Sequence, residues 1–127
     1  MLEKGLSFTA RTVVTDKNTA AAVGSGDMAV FATPAMAALM ENAAMSAVAG
    51  DLPAGSATVG SEISITHIKP TAVGAEVSAT AVLAAVDGRK LTFNVCAEDP
   101  DGPIGEGIHV RYIVDRDRFM AKAQGRK

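Results

Sequence analysis

The sequence predicts an α+β fold, in which one long helix lies on a face of an antiparallel sheet. Three observations support this. A single alanine- and methionine-rich stretch, Thr33 to Gly50, has helical character. Strand-like segments follow it without another long helical pattern among them, and turn signals close enough for direct antiparallel connections separate those segments.

The elements follow in order. Ser7 to Val14 reads as a short first strand, and the small-residue stretch around Ala20 to Gly26 reads as a linker. In the helical segment Thr33 supplies an N-cap, Pro34 suits the first helical position, where an absent N–H costs nothing, and Gly50 supplies the stop. Met36, Leu39, Met40, Ala43 and Ala47 recur at helical spacing. The opposite side (Ala37, Ala38, Ala44, Val48) is apolar too, so the helix is expected to be buried on most sides.

From Thr58 to Ile68, Val59, Ser61, Ile63, Ile65 and His67 share one strand face, and Lys69-Pro70 ends the run. Val77 to Val86 is the next strand. Asp87-Gly88 is a two-residue hairpin signal, after which Leu91, Phe93, Val95 and Ala97 resume the alternation. Asp99-Pro100-Asp101-Gly102 turns the chain into a last strand, Ile104 to Val114. The polar, basic tail from Asp115 to Lys127 is expected to hold one short helical turn and then fray. A sheet curling around one apolar helix leaves its far face and edges in need of cover. A second copy of the chain would provide it, so a homodimer is expected, with further pairing into a tetramer left open.

Composition narrows the function. The 127 residues fit one domain, 1–127, and a 48% hydrophobic, 20% charged balance is that of a globular chain. A net charge of −2 argues against nucleic acid as a partner. The lone Cys96 cannot make an internal disulfide and, lacking a basic neighbour, reads as structural. His67 and His109 stand outside any H-E-x-x-H arrangement, so no metal is expected. The N-terminus has no apolar run behind a basic start, and Glu41 interrupts the longest uncharged stretch. The expectation is therefore no membrane span and a cytoplasmic address. Neither Gly24-Ser25-Gly26 nor Gly102 to Gly107 has the context of a phosphate-binding loop.

Glu41 is the sharpest anomaly, the only ionisable residue between Asp27 and Asp51. A carboxylate on a buried helix needs a nearby donor and suits general-base work; otherwise it marks the one solvent-facing spot. His67 shares the phase of Ile63 and Ile65. It is either a satisfied structural residue or, beside Glu41, half of a carboxylate–imidazole pair. His109, out of phase with Ile108, Val110 and Tyr112, is expected at the surface or an interface. Thr33 and Glu41 lie about a quarter turn apart around the helix. Thr33 is at least a cap, and the helix start offers N–H groups to an oxyanion. Gly60 permits close backbone approach to a ligand or marks a bulge.

The string Phe31-Ala32-Thr33-Pro34-Ala35-Met36, continuing to Leu39-Met40-Glu41, resembles the active-site helix of hotdog-fold acyl-CoA thioesterases related to fluoroacetyl-CoA thioesterase. The likeness continues through Thr58-Val59-Gly60, Ile65-Thr66-His67, Pro70-Thr71 and Gly74. It resumes at Asp87-Gly88-Arg89-Lys90-Leu91 and at Ile104 to Arg111. The resemblance implies a hotdog dimer hydrolysing a small acyl-CoA thioester, with Thr33, Glu41 and His67 as catalytic residues. Gly60, Pro34, Arg111 and Lys69 would be substrate contacts, and CoA would enter only as part of the substrate, with no cofactor. Glu41 would attack the thioester carbonyl or activate water; Lys69, Arg89, Lys90 and Arg111 are candidates for CoA phosphates. The loop Gly24 to Val30 lacks the aromatics of the fluoroacetyl-specific member, which leaves the acyl group open. A non-catalytic acyl-CoA or acyl-carrier binding module is the alternative.

Overall fold

A computed structural model describes residues 2–125. The chain runs β1 (Ser7–Val13), α1 (Ala20–Val23), α2 (Thr33–Ala49), β2 (Ser56–His67), β3 (Glu76–Asp87), β4 (Lys90–Asp99), β5 (Gly102–Asp115) and α3 (Arg116–Gln124). The five strands form one antiparallel sheet in the order β1-β3-β4-β5-β2. Gly88, at φ 62°, supplies the left-handed residue that the tight β3–β4 turn requires.

The core lies between α2 and the inner face of the sheet. Met36, Met40, Ala43, Ala44, Ala47 and Val48 of α2 are buried against Val77, Ala79, Ala81 and Leu83 of β3 and Leu91, Phe93, Val95 and Ala97 of β4. The alternation of the middle strands therefore sets their inward face as the sequence suggests.

The helix departs from expectation in two ways. Its N-cap is Ala32, which makes no side-chain capping bond, so Thr33 is the first helical residue with its hydroxyl free for other use. Nor is α2 enclosed: Ala38, Asn42, Met45 and Ala49 form an exposed stripe, because one five-stranded sheet covers only one side of a helix. The Ala20–Gly26 stretch also differs, holding a single capped turn, with Thr19 Oγ1 accepting from the Ala22 N–H at 3.2 Å. The C-terminal helix α3 has nine residues, about two and a half turns instead of the single turn expected, starting at its Asp115 cap, so the tail is helical where fraying was expected; its last two residues lie outside the described ones.

The chain order ends the sheet at β2, whose second edge carries no strand among the described residues. No described helix is long and apolar enough to cross a membrane.

Candidate active site

The first turn of α2 and the end of β2 converge. Thr33 Oγ1 lies 2.7 Å from His67 Nδ1, a hydroxyl–imidazole hydrogen bond made possible because Thr33 is not capping the helix. Phe31, buried just before α2, meets the ring edge-on with centroids 6.5 Å apart. The other ring nitrogen, Nε2, is shut off from solvent and has no hydrogen-bond partner. Burial lowers the His67 pKa from its ordinary value, with the main chain of Lys69 opposing in part, so the imidazole is neutral at pH 7. A neutral ring at hydrogen-bond distance from a hydroxyl can accept its proton or orient it, and the orphaned Nε2 costs stability that a ligand would return.

This pair opens onto a cavity of about 310 Å³ lined by Ser25, Val30, Phe31, Lys69 and Pro70 as well. Lys69 thus stands at the mouth of the Thr33–His67 site, with its charge close to Asp99. Asp99 is fixed by bonds from the Thr71 hydroxyl (2.8 Å) and the Asp101 N–H (2.9 Å). Pro34 is exposed in the same helical turn as Thr33.

Glu41 is elsewhere. Eight residues of helix carry it about 12 Å along α2 from Thr33. It shares a small space of about 170 Å³ with Gly60, Ile63 and His109 rather than with His67. Gly60 sits where the β2–β5 register shifts around Ser61, so the glycine does mark a bulge. It also opens room: a Cβ built on it would stand 3.2 Å from His109 Cε1, 3.3 Å from Arg111 Nη1 and 3.4 Å from Glu41 Oε1. Within one chain, then, Thr33 and His67 come together, and Glu41 joins Gly60, His109 and Arg111 instead.

His109 is not at the surface of the chain, one of the two positions expected of it. It is 1% exposed, because β5 turns His109 and Arg111 toward the helix and Ile108 and Tyr112 outward. Ile108 and Tyr112 line the outer sheet face, opposite to what hydrophobicity alone suggests, whereas Ile104 at the start of the strand is fully buried in the core. A signal was present: Gly105 and Gly107 share the phase of His109. A Cβ on Gly105 would come within 2.7 Å of the Met36 side chain, which places that phase under the helix.

The polar groups at this position are fully interlocked. His109 Nδ1–H donates to the Glu62 carbonyl at 2.8 Å, and Nε2 accepts from Arg111 Nη1 at 3.1 Å. A carbonyl only accepts and a guanidinium only donates, so the ring is held neutral with its proton on Nδ1. Burial lowers its pKa, the Glu62 carbonyl opposing and Arg111 reinforcing that shift. Arg111, 6% exposed, further donates Nε–H to Thr58 Oγ1 (2.9 Å) and Nη2–H to the Thr58 carbonyl (3.0 Å). All three partners are neutral, and Glu41 is the carboxylate whose charge acts on the guanidinium. Arg111 therefore addresses the space at Gly60, not a phosphate at the surface. Thr58, Glu62 and His109 are the site members that sequence reasoning missed.

A family model described as fluoroacetyl-CoA-specific thioesterase matches residues 14–117. A fluoroacetyl-CoA thioesterase of Streptantibioticus cattleyicolor is 40% identical over 95 residues, covering 75% of this chain and 68% of that protein. The solved structure of the fluoroacetyl-CoA thioesterase FlK superposes with a TM-score of 0.92 at 33% identity, covering 100% of this chain and 98% of that one. A variant of that thioesterase solved in complex with fluoroacetate and CoA superposes at 0.87 with 34% identity, covering 93% and 99%. The architecture is that of the hotdog thioesterases, a curled antiparallel sheet around a long helix. Within that class, the chain belongs to the fluoroacetyl-CoA-specific thioesterase family.

Proposed function

We propose that this protein hydrolyses a small acyl-CoA thioester to the free acid and CoA, with Thr33, His67 and Glu41 as its catalytic residues. The observation that carries the reading is the 2.7 Å Thr33–His67 bond beside an imidazole nitrogen that is buried and unpaired. Family membership supplies the reaction class, and hydrolysis needs only water besides the thioester, so no cofactor is required.

The separation of Glu41 from His67 within a chain supports a homodimeric site. The open edge of β2 is the natural place to pair, since an unpaired strand edge seeks a partner. A two-fold axis through Ser64 would set Ile63 opposite Ile65 of the second copy, keeping inward residues inward. The bulge at Gly60–Ser61 would then face His67 of that copy. Such pairing assembles Thr33 and His67 from one copy with Glu41 and Gly60 from the other. Lys69 and Pro34 lie at the mouth of the pocket and Arg111 behind Gly60, and all three are substrate contacts in this reading. Light scattering on the eluting protein would read a mass of two chains for this dimer and of four for a tetramer. The expected compartment is the cytoplasm, where CoA thioesters are made and used.

In the reaction, Glu41 removes a proton from the water that attacks the thioester carbon, or attacks that carbon itself to form a mixed anhydride that water then hydrolyses, freeing the acid and the Glu41 carboxylate. Thr33 and the N–H groups at the start of α2 hold the developing oxyanion, and the C–S bond breaks as His67 gives a proton to the departing CoA thiolate and, as a base, recovers one from the attacking or hydrolytic water. The decisive experiment measures CoA release from a panel of acyl-CoAs by the wild type and by Glu41→Gln. Turnover on a short acyl chain that falls by about 100-fold or more in the variant is expected. Binding of CoA without turnover on any chain would defeat the reading in favour of a binding module.

A further inference from the structure

Five of the twelve Lys and Arg side chains, Arg89, Lys90, Arg116, Arg118 and Lys122, fall on just two pieces of the chain, the β3–β4 turn and α3 with its first residues. The fold brings those pieces together. The Ile113 N–H donates to the Arg89 carbonyl at 2.9 Å, fixing the turn beside the end of β5, and α3 starts where β5 stops. Between them lies a groove of about 490 Å³ lined by Arg89, Arg118, Lys122 and the exposed Phe119. Asp115 is the single acid among its described lining residues, and its Oδ1 is occupied by the Arg118 N–H at 2.9 Å. Three cations around an aromatic face, in a protein whose overall charge is negative, form a pocket for a phosphorylated aromatic ring system rather than an evenly solvated surface.

Its distance from the candidate chemistry is the second observation. Gly60 pairs with Arg111, and Asp115 stands four residues further along β5, about 13 Å at the usual strand rise. An extended pantetheine arm bridges a separation of this order between a thioester sulfur and the CoA diphosphate.

We propose that the groove between α3 and the β3–β4 turn binds the nucleotide end of CoA, with Arg89, Arg118 and Lys122 holding its phosphates and Phe119 lying against its adenine. This rests on the acyl-CoA thioesterase reading. It also moves the phosphate site away from Arg111, which is buried, and from Lys69, which stands at the Thr33–His67 cavity.

The test compares kcat/KM on one acyl group carried by CoA and by phosphate-free pantetheine, in the wild-type protein and in the triple variant Arg89→Glu, Arg118→Glu, Lys122→Glu. The wild-type preference for the CoA thioester should fall by about 100- to 1,000-fold, since each of the three charge-assisted phosphate contacts is worth roughly a factor of ten. Adenosine 3′,5′-bisphosphate should compete with the CoA thioester in the wild type, whereas inorganic phosphate at equal concentration should not. An unchanged preference, or competition by phosphate alone, overturns the proposal. Calorimetry with CoA separates the two levels. A wild type that binds CoA but cleaves neither thioester refutes the thioesterase reading, and the same titration on the triple variant still judges the groove by its expected loss of affinity.

Discussion

Replacing His109 by leucine is the most incisive test of the interlocked site. The imidazole occupies one buried and one part-buried partner, accepting from Arg111 Nη1 and donating to the Glu62 carbonyl. Leucine has similar bulk but neither function, so a buried donor and a part-buried acceptor lose their partners. At about 1–3 kcal/mol for each stranded group the loss is about 2–6 kcal/mol, reduced somewhat by the better burial of an aliphatic side chain. Against a typical domain stability of about 5–15 kcal/mol that is a large fraction. Urea unfolding at matched protein concentration reads it as a lower midpoint with an unchanged m-value. His109→Gln retains a donor and an acceptor on one side chain and should recover part of the loss. A leucine variant within about 0.5 kcal/mol of wild type, or a glutamine variant no better than leucine, would refute the reasoning.

Three further outcomes concern the site itself. Because burial depresses the His67 pKa, the ring should stay neutral below the ordinary histidine value of 6.5. The acid limb of kcat/KM should then fall below pH 6.5, and an apparent acid pKa above 7 would remove His67 from the base role. The same depression in His67 and His109 means that the unfolded chain takes up protons the folded one refuses. Stability should thus be flat above about pH 6.5 and decline below it, as thermal melts across that range will show. Gly60→Ala introduces no positive-φ strain but sets a methyl group within 3.2–3.4 Å of His109, Arg111 and Glu41. It should lower kcat/KM by about 10- to 100-fold with a much smaller change in melting temperature, and full activity would show that this space is not used.

Much of the architecture is legible in the sequence because the middle strands obey simple alternation. Leu91, Phe93, Val95 and Ala97 face the core as their pattern requires. The last strand breaks the rule. In its middle, Ile108 and Tyr112 face outward, while the side under the helix carries two glycines, a histidine and an arginine. Gly105 reflects the closeness of Met36 and Gly107 that of Ser64 and Ile65 on β2, tertiary facts that hydropathy does not encode. Thr33 shows the same limit at the helix start. A threonine before proline has the signature of a cap, but a shift of one residue gives that place to Ala32 and frees the hydroxyl for His67. Glu41 and His67 were each recognisable as unusual. Their separation is set by helix rise, which a view down the helix axis ignores.

The bare margin of β2 has a kinetic meaning. If each working centre is shared between two copies across that margin, activity becomes second order in chain at low concentration. Dilution alone would then silence the protein without unfolding it, and a single excess of an inactive copy would poison half-sites in proportion to its abundance.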